Sequence, residues 1–92
     1  MSEELDRLRR NITNISDFIV NGFRLIRNNT PIQAQAGHFL IVLEAAIEEF
    51  ENLCGVYEEL TGCEHALWSK NGELFSDEWF ELNKIFNPED DE

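Results

Sequence analysis

The sequence predicts a mainly α fold: an antiparallel pair of long helices, a short β-hairpin and a short third helix, assembled as a dimeric helical bundle. Three observations predict it. Two long stretches carry apolar side chains at unbroken three-four spacing, an Asn-Gly pair follows between short apolar runs, and 92 residues lie near the size at which one core is only just sufficient.

The first helix is expected from Ser2, a good N-cap followed by Glu3, Glu4 and Asp6, to about Arg27, whose charge suits a helix C-terminus. Leu5, Leu8, Ile12, Ile15, Ile19, Gly22 and Ile26 form its seam, widened by Phe18 and Phe23. Gly22 within that seam costs about 1 kcal/mol of helix propensity relative to Ala, so it marks either a close approach between helices or a kink. Asn28-Asn29 is a short connection, which sets the next helix antiparallel to the first.

Thr30-Pro31-Ile32-Gln33 reads as a capping box with proline at the first helical position. The helix it opens carries Ala36, Phe39, Leu43, Ala46, Phe50, Leu53, Tyr57 and Leu60 as a second seam. Gly55 leaves open whether this helix breaks or runs on, and Gly62 is placed to stop it as the C′ residue. Two such wide stripes facing only each other leave apolar surface uncovered, and pairing of two hairpins into a four-helix bundle is the economical remedy.

Residues 66–75 centre on Asn71-Gly72, the strongest short hairpin signal. In that register Lys70 faces Glu73 and Trp68 faces Phe75. Ser76 then caps a third helix with Asp77 and Glu78 in its first turn and Lys84 near its last. Trp79, Leu82, Ile85 and Phe86 supply its buried side, and Asn87-Pro88 ends it. Residues 1–88 therefore read as one helical domain and residues 89–92 as an acidic disordered tail.

Charge is the feature that bears on function. Seven basic side chains stand against nineteen acidic ones; residues 1–30 are at +1, so residues 31–92 carry −13. No Lys or Arg occurs between Arg27 and Lys70, while Glu44, Glu48, Glu51, Glu58 and Glu59 form one stripe of the second helix, with Glu49 off to its flank. Glu64, Asp77, Glu78 and Glu81 extend the same sign. Such a field repels nucleic acid and anionic membranes and attracts basic protein surfaces, with association rates that fall as salt rises. Arg9, Arg10, Arg24 and Arg27 lie off the seam of the first helix, but the rest of the chain argues against direct nucleic-acid binding.

Catalytic patterns are missing. The sequence has no glycine-rich phosphate loop, nucleophile elbow, zincin pattern or calcium loop. Cys54, Cys63, His38 and His65 lack metal-ligand spacing, and Cys54 falls on the apolar arc of its helix, so all four read as structural. The expectation is no enzyme, no cofactor and no metal. With no signal peptide and no apolar run long enough to span a bilayer, the expected location is the cytoplasm, a host's cytoplasm if the chain is phage-encoded.

In size, net charge and rows of helical carboxylates, the sequence resembles the small acidic DNA-mimic, anti-restriction proteins of phages and plasmids. The class shares no motif, so no individual residue is carried over from it. The resemblance implies evasion of a host defence: inhibition of a restriction enzyme or other DNA-binding or DNA-processing protein by occupation of its DNA site. Glu44 to Glu58 spans about 21 Å of helix, the scale of a duplex whose phosphates recur every ~3.4 Å along each strand. The competing expectation is an antitoxin-like or adaptor module that contacts its partner through the aromatic hairpin region, Trp68, Phe75, Trp79 and Phe80.

Overall fold

The computed structural model describes residues 3–29 and 33–86. Three helices follow one another: α1 (Glu3–Asn29), α2 (Gln33–Thr61) and α3 (Ala66–Phe86). Gly22 lies against Leu43, Phe18 against Phe39 and Arg9 over Tyr57, so α2 runs back along α1. Phe50 meets both Trp68 and Phe75 while Leu40 meets Trp79, so α3 reverses again and ends parallel to α1. The result is an up-down-up bundle measuring 48 × 26 × 17 Å.

Each helix buries most of the stripe its periodicity marks out. From α1 come Leu8, Ile12, Ile19, Phe23 and Ile26, from α2 Leu40, Leu43, Phe50 and Cys54, and from α3 Phe75 and Leu82. Leu5, Ile15, Phe39, Ala46, Leu53, Tyr57, Trp68 and Trp79 pack around them half-buried. Phe18 of α1, Leu60 of α2 and Ile85 of α3, expected on those stripes, stay exposed at 44%, 61% and 64%. The side chains of Ala36 and Phe86 lie outside the described ones, as do the caps expected at Ser2 and Thr30-Pro31, the stop at Asn87-Pro88 and the tail at 89–92.

Gly22 resolves as a close approach. A methyl group built there would stand 2.7 Å from Cδ2 of Leu43 and 3.3 Å from the Phe39 ring, and α1 continues through it as helix. Gly55 does not break α2, which runs on to Thr61. Gly62, at φ +77°, is the C′ residue in the left-handed region, and its N–H donates to the Glu58 carbonyl at 2.7 Å in a single αL-type cap. Thr61 completes the turn: its hydroxyl donates to the Tyr57 carbonyl and accepts the N–H of Cys63.

The expected β-hairpin is absent, and residues 66–86 form one continuous helix with no strand among the described residues. The reason lies in the spacing of the large side chains. Trp68, Phe75, Trp79 and Leu82 step by seven, four and three, and a helix presents all four to the α1–α2 pair, whereas a two-stranded hairpin buries one face only marginally. A type I′ turn needs positive φ at Asn71 and Gly72, and Gly62 is the glycine that has it. Gly72 serves another purpose: it is buried under the indole of Trp68, where a Cβ would come within 2.9 Å of the ring. Trp68 and Phe75, expected as a cross-strand pair, instead both pack on Phe50. Ser76 consequently lies mid-helix and caps nothing, and Asp77 and Glu78 belong to no first turn.

Gly55, exposed in α2, and Gly22, buried in α1, make opposite predictions. Gly55→Ala, with open space around the new methyl group, should raise stability by about 0.5–1 kcal/mol. Gly22→Ala gains the same propensity but drives into Leu43, itself fully buried, and should lower stability by about 1–3 kcal/mol. Urea unfolding midpoints of the two variants, moving in opposite directions from wild type, are the check.

Candidate partner-binding face

The register of α2 against α3 determines which carboxylates share a surface. With Leu40 beside Trp79 and Phe50 beside Trp68, α3 covers the side of α2 next to the acidic stripe and leaves the stripe itself in solvent. Glu44, Glu48, Glu51, Glu58 and Glu59 are all exposed. None of them makes an ion pair among the described residues, where the pairs formed are Arg9 with Asp6 and Arg27 with Glu78.

The carboxylates of α3 and of the turn before it are placed unequally. Glu64, in the turn before it, is exposed and accepts the Ser69 hydroxyl at 2.8 Å, and Asp77 is exposed further along the helix. Together with Trp68, Lys70, Glu73 and Leu74 they line a shallow depression of about 400 Å³. Glu81 is exposed but turns toward the α1 side of α3. Glu78 is half-buried and held by Arg27 across the bundle, which takes it out of the acidic face and makes it a tie between α1 and α3.

Glu73 shares that depression with Glu64 and Asp77, and sequence reasoning missed it. As part of a hairpin it was spoken for by Lys70; on a helix it falls one turn before Asp77, both exposed. The signal that would have found it is the helical spacing of Trp68, Phe75, Trp79 and Leu82, read across Asn71-Gly72 rather than up to it.

At the start of α3, next to Glu64, sits a polar cluster with a perturbed group. His65 precedes the helix, and its Nδ1 accepts the N–H of Leu67 at 3.0 Å, the role of an N-cap. The Tyr57 ring stands edge-on to the imidazole at 4.7 Å, and the Arg9 guanidinium lies over the Tyr57 ring, 5.9 Å from its centroid. Burial holds the His65 pKa below its ordinary 6.5, and the Arg9 charge lowers it further. His38 is exposed on α2. Cys54 is buried as a small apolar side chain with its thiol pushed up to about 11 by burial, and Cys63 is exposed in the α2–α3 turn. Among the described residues no three His, Cys, Asp or Glu side chains gather into a set that could hold a metal ion.

Of the four aromatic residues offered as a contact surface, Phe75 is buried and Trp68 and Trp79 are half-buried; Trp79 donates its indole N–H to the Leu40 carbonyl at 2.7 Å. Phe80 is left exposed. No described helix is long and apolar enough to cross a membrane. Comparison with protein-family models, with curated proteins and with solved structures finds no match for this chain.

The cap at His65 generates a pH dependence whose sign follows from the lowered pKa. The folded state favours neutral imidazole, so the cap's contribution is complete above the unfolded pKa near 6.5 and is lost as pH falls through the lower folded value, where a protonated Nδ1 can no longer accept the Leu67 N–H. His65→Asn retains an N-cap acceptor that does not titrate. Between neutral and mildly acid pH, wild type should lose stability relative to His65→Asn, measured by urea unfolding of the two side by side.

Proposed function

We propose that this chain is a DNA-mimic inhibitor: a non-enzymatic protein acting in the cytoplasm that occupies the DNA site of a restriction enzyme or other DNA-binding protein. The observation that carries the proposal is the acidic stripe of α2, whose carboxylates are exposed and make no ion pair among the described residues, with Glu64, Glu73 and Asp77 also exposed on α3 and the turn before it. A merely solvated helix face needs few charges and is ordinarily interleaved with Lys and Arg, because like charges at i, i+4 destabilise a helix. Here Glu44, Glu48, Glu51 and Glu58 run without one cation among them, at a cost in self-repulsion that binding a basic groove would relieve. The stripe's length of about 21 Å matches several phosphate steps of a duplex. A contact made through the aromatic residues has less in its favour, since Phe80 is the one large ring of that group free to meet a partner.

Replacing Glu44, Glu48 and Glu51 together by Gln should leave the fold intact and stability unchanged or slightly higher, since all three are exposed and unpaired. The partner captured from a bacterial lysate at low salt should be displaced by duplex DNA. The triple variant should bind that partner more weakly and with a shallower dependence on salt. A partner indifferent both to competing duplex and to the Gln changes would reduce the stripe to a solvated face.

A further inference from the structure

Away from the acidic face, the α1–α2 pair presents a surface of different character. The contacts of Phe23 with Phe75 and of Arg27 with Glu78 mark the side of α1 that α3 covers. Helical spacing puts Phe18 and Leu25 on the uncovered side, and Val42, Val56 and Leu60 on the same side of α2. Their exposures run from 39% for Val42 to 61% for Leu60, so five large, partly exposed apolar side chains gather on one face. Two charges share this face: Arg7, whose position on the helical wheel coincides with that of Phe18 and Leu25, and Glu49, at heptad spacing from Val42 and Val56. Both are exposed, and neither makes an ion pair within the chain among the described residues.

We propose that this face pairs two copies of the chain, antiparallel, about a two-fold axis passing beside Leu53. The register of the helices leads to that position. Gly22 level with Leu43, and Arg9 with Tyr57, put Glu49 level with Ser16 and Leu53 level with Ile12. Arg7 and Glu49 therefore lie on either side of Leu53, each about 7 Å from it along the bundle. A two-fold axis there brings Arg7 of one copy to Glu49 of the other, twice. The same axis brings Leu60 of one copy to Phe18 of the other, so the charges and the exposed apolar side chains agree on one centre, which is what an isologous interface requires. A parallel pairing would set Arg7 against its own copy and Glu49 against its own. The acidic faces stay outward and open in the pair, so self-association and competition with DNA stand or fall separately.

The test is sedimentation velocity of the full chain at tens of micromolar for wild type, Arg7→Glu, Glu49→Arg and the double exchange, with far-UV circular dichroism to follow the fold. Wild type should sediment as a dimer. Each single reversal places two like-charge contacts in the interface and should weaken dimerisation by about a hundredfold, a factor of ten for each contact. The double exchange should restore it, and Leu60→Lys should weaken it independently of the charge pair. Glu49→Arg is the decisive variant, because it lowers the net negative charge and would strengthen association if overall repulsion alone were at work. A monomeric wild type, a dimer indifferent to both reversals, or a dimer strengthened by Glu49→Arg overturns the proposal.

Discussion

Phe50 is where the three helices are joined. It is fully buried, its ring is 5.9 Å from the Trp68 indole and 5.2 Å from Phe75, and Phe75 in turn reaches Phe23 on α1 at 6.2 Å. Burial of one such ring contributes about 2–3 kcal/mol, and the edge-on Phe50–Phe75 pair adds about 0.5–1.5 kcal/mol. Everything else follows from seating this aromatic junction. Gly22 lets α1 close onto Leu43 one side of it, and Gly72 lets the Trp68 indole lie flat along α3 on the other. Two glycines that cost helix propensity are thus the places where bulk had to be removed for large side chains nearby.

The junction also settles what remains outside. Because α3 lies in the groove between α1 and α2 rather than folding back as a hairpin, it covers the apolar side of α2 nearest the acidic stripe. Trp68, Phe75 and Trp79 are committed to the core and its edge. What is left to meet other molecules is divided by α2 into an acidic face toward α3 and an apolar face toward α1. Arg27 and Glu78 tie α1 to α3 at the remaining seam, bordering an open groove of about 320 Å³ floored by Val20, Phe23 and Leu74. Each surface thus has its own chemistry: exposed carboxylates that repel one another on one, and partly exposed apolar side chains beside Arg7 and Glu49 on the other.

Periodicity and end signals were legible in the residues themselves. The three-four spacing of α1 and α2 identified their lengths and buried sides, and Gly62 marked where α2 stops, because a helix C-terminus favours a residue able to take positive φ and other residues resist it. The acidic stripe was equally legible, since it depends only on residue type and on 100° per residue. By itself, then, the sequence determined the two long helices, their antiparallel order and the carboxylates that stay in water. Only the tertiary structure decided the state of residues 66–75. Asn71-Gly72 is a turn signal when no other surface competes for the flanking side chains, but the open side of the α1–α2 pair offered Phe50, Leu40 and Phe23 to Trp68, Trp79 and Phe75. Helical burial of those rings outweighs a local turn preference and the cost of one mid-helix glycine, and that balance exists only once the first two helices have come together.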